Sequence, residues 1–75
     1  MRLAECPTRV ALRLTEIELP QRSLLRMHEI GLRIGAEATI IQRAGFGGLI
    51  LNIAGSRVAV DHRSAKKILA EPVAA

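Results

Sequence analysis

Five short stretches alternate apolar and polar residues, with glycine or proline between them, and a chain of 75 residues then has room for little beyond a small β structure. "RVALRLTEIEL" is the longest. Val10, Leu12 and Leu14 fall on one face and Arg9, Ala11, Arg13 and Thr15 on the other, the two-residue period of a half-buried strand. The phase slips between Leu14 and Ile17, which predicts a bulge or the end of the strand. "AEATIIQ", "LILNI", "RVAV" and "ILAEPV" supply the other four. Leu49, Leu51 and Ile53 share a face in one, and Val58 and Val60 point inward in the next. The "AGS" between those two reads as a tight hairpin turn. Pro72 suits an edge or a strand end. Five short strands in so small a chain close into a small barrel, because closure removes exposed edges.

One helix interrupts the strands. In "PQRSLLRMHEI", Pro20 suits a first turn, and Leu24, Met27 and Ile30 form a stripe expected to face the core. Gly31 follows the last periodic residue and is expected to take the left-handed conformation that caps a helix, with Leu32 folding back over Met27. Gly35 is expected to make the turn that launches the next strand. These glycines also spell GxxxG, but that motif pairs apolar helices of about twenty residues inside a membrane, and here Arg33 stands between them. Asp61 is expected to cap a short helical turn, "HRSAKK", with Ala65 and Ile68 pointing the same way.

Composition narrows the rest. The length predicts a single domain over residues 1–75, with a core at about 9–73 and a frayed end at 74–75. A core of this size is worth about 3–5 kcal/mol net. With one Phe and no Trp or Tyr, it must be built from Leu, Ile, Val and Ala. Cys6 stands alone and has no internal disulfide partner, which points to the reducing cytoplasm. "MRLAEC" has no apolar stretch before its cysteine, so lipidation and a signal peptide are not expected. No apolar run approaches the roughly 20 residues of a membrane span. The net charge of +4 is spread over scattered arginines. Nucleic-acid contact through phosphates alone would be weak and salt-sensitive, and the chain lacks the aromatic rings that stack bases or grip polyproline.

Catalytic chemistry finds no support. The two histidines pair with no nucleophile, and the carboxylates form no motif. "GFGG" lacks both the Lys-Ser/Thr of a phosphate loop and the last glycine of a dinucleotide fingerprint. No catalytic or cofactor-binding residue is assigned, and the chain is read as a non-enzyme. Cys6, His28, Glu29, Asp61 and His62 carry ligating atoms, but His28-Glu29 and Asp61-His62 are neighbours rather than i, i+4 pairs. No metal-ligating residue is assigned either; the alternative is a weak Fe²⁺ or Zn²⁺ site, or one shared between chains. Protein contact remains. Leu25 lies about 100° from the core stripe, and Arg22 and Arg26 lie on the outer face with it. Arg26 is placed to pair with Glu29 at i, i+3. An apolar residue ringed by arginines suits docking. Phe46, on the glycine loop, is the second candidate.

Two stretches carry a family resemblance. "LLRMHEIGLRIGAEATII" resembles the helix–glycine–strand signature of the ferrous iron transport protein A (FeoA) family, with Arg26, Met27, Glu29, Ile30, Gly31, Leu32 and Gly35 in the signature places. "RAGFGGLILNIAGSRVAV" followed by "AKKIL" is similar to the rest of that domain. The match runs over about residues 9–73. It implies a mainly β fold, an SH3-like barrel of five to six strands with one inserted α-helix and a short C-terminal helical turn. It further implies a cytoplasmic accessory of the FeoB permease and GTPase that modulates Fe²⁺ uptake. Two alternatives stand beside this: a divalent-metal-binding regulatory module acting as a dimer, and a basic nucleic-acid binder. Edge strands in so small a barrel also admit a homodimer.

Overall fold

The alternating stretches form five antiparallel strands: β1 Ala11–Ile17, β2 Glu37–Arg43, β3 Leu49–Ile53, β4 Ser56–Val60 and β5 Ile68–Pro72. This computed structural model describes residues 1–73; Ala74 and Ala75, expected to fray, lie outside the described residues, as does the side chain of Phe46. One sheet holds the strands in the order β4-β3-β2-β1-β5. All five strands place side chains in a single core, from Leu12, Leu14 and Ile17 through Ala38, Ile40, Leu49, Leu51, Ile53 and Val60 to Ile68 and Ala70. The architecture is therefore mainly β, a wrapped sheet left open between β4 and β5 among the described residues.

Two irregularities bend the sheet around that core. The β1–β5 register shifts between Leu14 and Glu16, where the alternation in the sequence slips, and this is why Ile17 rather than Glu16 turns inward. A second shift lies in the β2–β3 ladder between Ile40 and Gln42. An extra residue kinks a strand, and two kinks let short strands wrap one core. The β3–β4 hairpin closes through Ala54 and Gly55, with Ile53 opposite Ser56. Both turn residues have positive φ, 52° and 86°. Those signs at both central positions define the primed turn that matches strand twist. The Gly55 N–H donates to Asn52 Oδ1 at 3.1 Å.

The inserted helix α1 spans Gln21–Glu29. Leu24 and Met27 face the core and are half-buried against it. Ile30 departs from expectation: it is 43 % exposed. The helix has ended there, at φ −96° and ψ 7°, so the three-residue stripe no longer applies. Leu32, fully buried, takes the inward place instead. Its N–H donates to Met27 O at 2.9 Å and the Gly31 N–H donates to His28 O at 3.1 Å, the paired bonds of a Schellman cap around Gly31 at φ +96°. Gly35, at φ +90°, sits in the turn closed by Ala36 N–H donating to Arg33 O, which delivers the chain to β2.

The N-terminal residues join the same core. Leu3 and Cys6, ahead of the expected start near residue 9, are fully buried on a short 3₁₀ turn, Leu3–Glu5. Arg2 bridges Leu69, and Ala70 N–H donates to Met1 O at 2.7 Å. Arg43, at the end of β2, donates one guanidinium nitrogen to Ala4 O at 2.8 Å and another to Cys6 O. That fork ties the N-terminal turn across the sheet. Burial pushes the Cys6 thiol above its ordinary pKa, against the smaller opposing pull of the N-terminal amine and Arg43. The thiol therefore packs as a small neutral group, donating weakly to Arg2 O at 3.3 Å.

A second short helix, α2, spans His62–Ala65 after β4. Asp61 caps it, accepting from the Ser64 N–H at 3.2 Å. Ala65 and Ile68 are both fully buried. Hydrogen bonding from Ser64, its hydroxyl first and its N–H after, holds the Asp61 carboxyl below the usual carboxylate range. A depressed pKa stabilises the fold above the unfolded value and loses that contribution as pH falls through the folded one. Acid titration of the wild type followed by thermal unfolding is expected to show this loss below about pH 4. Asp61→Asn keeps a capping oxygen and is expected to flatten that part of the profile. Asp61→Ala is expected to cost about 1 kcal/mol at neutral pH.

Candidate protein-docking site

The residues singled out for chemistry do not converge. His28, half-buried, is on α1, and exposed His62 opens α2. Cys6 is buried beneath the N-terminal turn. Asp61 is engaged as a helix cap. No group of three or more His, Cys, Asp or Glu side chains gathers as a cation site among the described residues. Among the described residues no donor set is assembled to hold a metal, and no chemistry is routed through one. Gly45–Gly47 makes one 3₁₀ turn, closed by Gly48 N–H donating to Gly45 O and bracketed by Ala44 N–H donating to Gly48 O at 2.8 Å. Its backbone closes on itself rather than opening as a phosphate cradle.

Two open grooves flank the sheet. One, of about 570 Å³, runs between Gly31 and the outer side of β2 and the β3–β4 turn, past Thr39 and Asn52. Its one titratable residue, Glu37, accepts from Arg13 at 3.1 Å across the β1–β2 pair. The other, of about 540 Å³, lies beside the glycine turn against Ile50, Ala59, Asp61 and His62. Neither brings a nucleophile and a base together.

The exposed apolar residues concentrate elsewhere. Besides Met1, the large exposed ones among the described residues are Leu25 at 56 %, Ile30 at 43 % and Ile34 at 66 %, all on α1 or the turns that follow it. The helix is attached through Leu24 and Met27 and buries no residue completely, so its outer face is free. Arg22, Leu25 and Arg26 all lie there and are exposed. The expected Arg26–Glu29 pair is not formed. Arg13–Glu37 is the ion pair present among the described residues, and it leaves Arg22 and Arg26 without carboxylate partners. Other arginines are committed to the fold: Arg43 to the N-terminal turn, and Arg33 to His28 O at 3.4 Å. Ile34 is absent from the expected set. Its signal is its place between Gly31 and Gly35, in a turn where neither helical nor strand periodicity requires an apolar residue.

A bent five-stranded sheet in this order, with one inserted helix and a short helical turn before the last strand, defines a small SH3-like β domain. The FeoA domain model matches residues 1–72, and the chain belongs to that family, a transport-associated family of ferrous iron uptake. The FeoA protein of Chlorobium tepidum superposes with a TM-score of 0.89 at 21 % identity, over 99 % of this chain and 71 % of that one. Iron(II) transport protein A of Clostridium thermocellum gives 0.89 at 24 %, over 97 % of this chain and 46 % of that one. The zinc-complexed FeoA of Stenotrophomonas maltophilia, described as a prokaryotic SH3 domain protein, gives 0.74 at 22 %, over 95 % and 89 %. At these identities the likeness is one of fold. No curated protein matches the chain. No helix among the described residues is long and apolar enough to cross a membrane.

Proposed function

We propose that this chain is a non-enzymatic accessory of ferrous iron transport that docks on the cytoplasmic part of the FeoB permease and modulates Fe²⁺ uptake. The observation that carries the reading is the outer face of α1. Leu25 stands exposed beside two arginines without carboxylate partners, on a helix held only by its inner side. A buried apolar anchor with a cationic rim suits an acidic surface containing an apolar pocket. Family membership supplies the transport context.

The test is direct binding to the permease's cytoplasmic domain, paired with uptake in cells lacking the protein. Wild type is expected to bind and to restore uptake. Leu25→Glu places a charge in the apolar contact and is expected to weaken binding at least about tenfold, equivalent to about 1.4 kcal/mol. Its fold is expected to be unchanged, because the side chain is on the solvent side. Absence of binding by the wild type at high micromolar concentration rejects the reading. Full rescue of uptake by Leu25→Glu moves the contact off this face.

A further inference from the structure

The two ends of the sheet are treated differently. The outer edge of β5 is covered: Arg2 bridges Leu69, and Met1 O accepts from Ala70 N–H. The outer edge of β4 has no cover among the described residues. In a two-residue hairpin the pair that closes the turn exchanges hydrogen bonds, here Ile53 with Ser56, and bonded pairs then alternate with non-bonded ones. Val58 and Val60 therefore bond to β3, while the N–H and C=O of Arg57 and Ala59 point outward. No other backbone bond reaches those groups among the described residues.

We propose that two copies of this chain pair antiparallel along β4, with the two-fold axis at Ala59, so that two five-stranded sheets become one. The side-chain order of the edge selects that register. With the axis at Ala59, Arg57 faces the partner's Asp61 and Asp61 faces the partner's Arg57. Opposite charges meet across the strands twice. Val58 then faces the partner's Val60 on the inner side, extending the apolar surface on which both already lie. An axis at Arg57 sets arginine against arginine, and an axis at Val58 leaves the charges unmatched. Asp61 is ready for the contact. Its residue is extended at φ −72° and ψ 160°, and its exposed carboxylate has acceptor capacity beyond the bonds it takes from Ser64. The groove beside Ala59, Asp61 and His62 gives the partner's Arg57 stem an apolar bed.

A contact of one short strand on each side buries less than the roughly 1,200–2,000 Å² of a stable complex, so the dimer is weak, with dissociation between about micromolar and millimolar. The pairing does not depend on docking through α1, since β4 carries none of Arg22, Leu25 and Arg26.

Sedimentation velocity from about 10 µM to about 1 mM spans that range. The wild type is expected to shift from monomer to dimer. Arg57→Glu sets like charges opposite Asp61 and is expected to weaken the dimer at least about tenfold. Ala59→Pro removes an outward N–H without touching the β3 ladder, and is expected to stay folded and monomeric. Ala59→Cys places its Cα about 5.5 Å from its mate, within disulfide range, and is expected to oxidise to a covalent dimer. The equally exposed Thr15→Cys is expected not to. Buried Cys6 does not compete. A wild type monomeric at every concentration overturns the proposal. So does a dimer that survives both Arg57→Glu and Ala59→Pro.

Discussion

Leu12→Ala is expected to leave the chain largely unfolded at 25 °C. Leu12 is fully buried near the start of β1 and is shared by two ladders, facing Ala38 on β2 and Pro72 on β5. Truncating a buried leucine costs about 2–5 kcal/mol, through lost apolar burial and the cavity left behind. A domain of this size has about 3–5 kcal/mol in total. The core has no Trp or Tyr ring to collapse into the gap, since the chain contains neither. Far-UV circular dichroism and a urea titration check this. Leu25→Ala is the comparison: its side chain is 56 % exposed, and surface changes of this kind stay within about 0.5 kcal/mol. A Leu12→Ala variant with the wild-type midpoint contradicts the core described above.

Gly47→Ala is the second large effect, and its origin is different. Gly47 adopts φ +81°, where an L side chain costs about 1–2 kcal/mol. A Cβ there would also lie 2.6 Å from His62 Nδ1 and 2.7 Å from His62 Cγ. The imidazole cannot swing clear easily, because Cγ sits one bond from its Cβ, itself 3.1 Å from the added atom. The combined loss is expected to reach about 2–3 kcal/mol, most of the net stability. The two causes separate in a double-mutant cycle. His62→Ala alone is expected to be nearly silent, since the residue is exposed. Added to Gly47→Ala, it is expected to recover the steric part and leave the backbone part. Additive losses would mean that the glycine turn does not rest on His62.

Local periodicity carried most of the fold. The strands follow from alternation, and the slip after Leu14 marks the bulge that the β1–β5 register contains. The cap at Gly31 and the Asp61 cap follow from short-range chemistry that depends on only a few neighbours. Long-range contacts were not legible. Leu3 and Cys6 have no period to reveal them, and their burial depends on a sheet assembled from residues far along the chain. Arg43 looked like one more surface arginine, yet it spans 39 residues to reach Ala4 O. Ile30 was misplaced because helical spacing was extended one residue past the helix. The outer face of α1 was foreseen at Arg22, Leu25 and Arg26, where the helical wheel suffices. The open edge of β4 needed the strand order, which no local pattern encodes.

The joining of the chain's two ends has a consequence for its synthesis. Met1 O accepts from Ala70 N–H, Arg2 bridges Leu69, and β1 needs β5 as its outer neighbour. The chain through β5 must leave the ribosome before Leu3 has its final surroundings. Such pairing of sequence-distant segments is slow relative to helix or hairpin formation. The β3–β4 hairpin can form early, but the N-terminal turn must wait beside it with Leu3 uncovered. The nascent domain thus becomes native only after its last strand emerges, and until then its apolar start is open to chaperones and proteases.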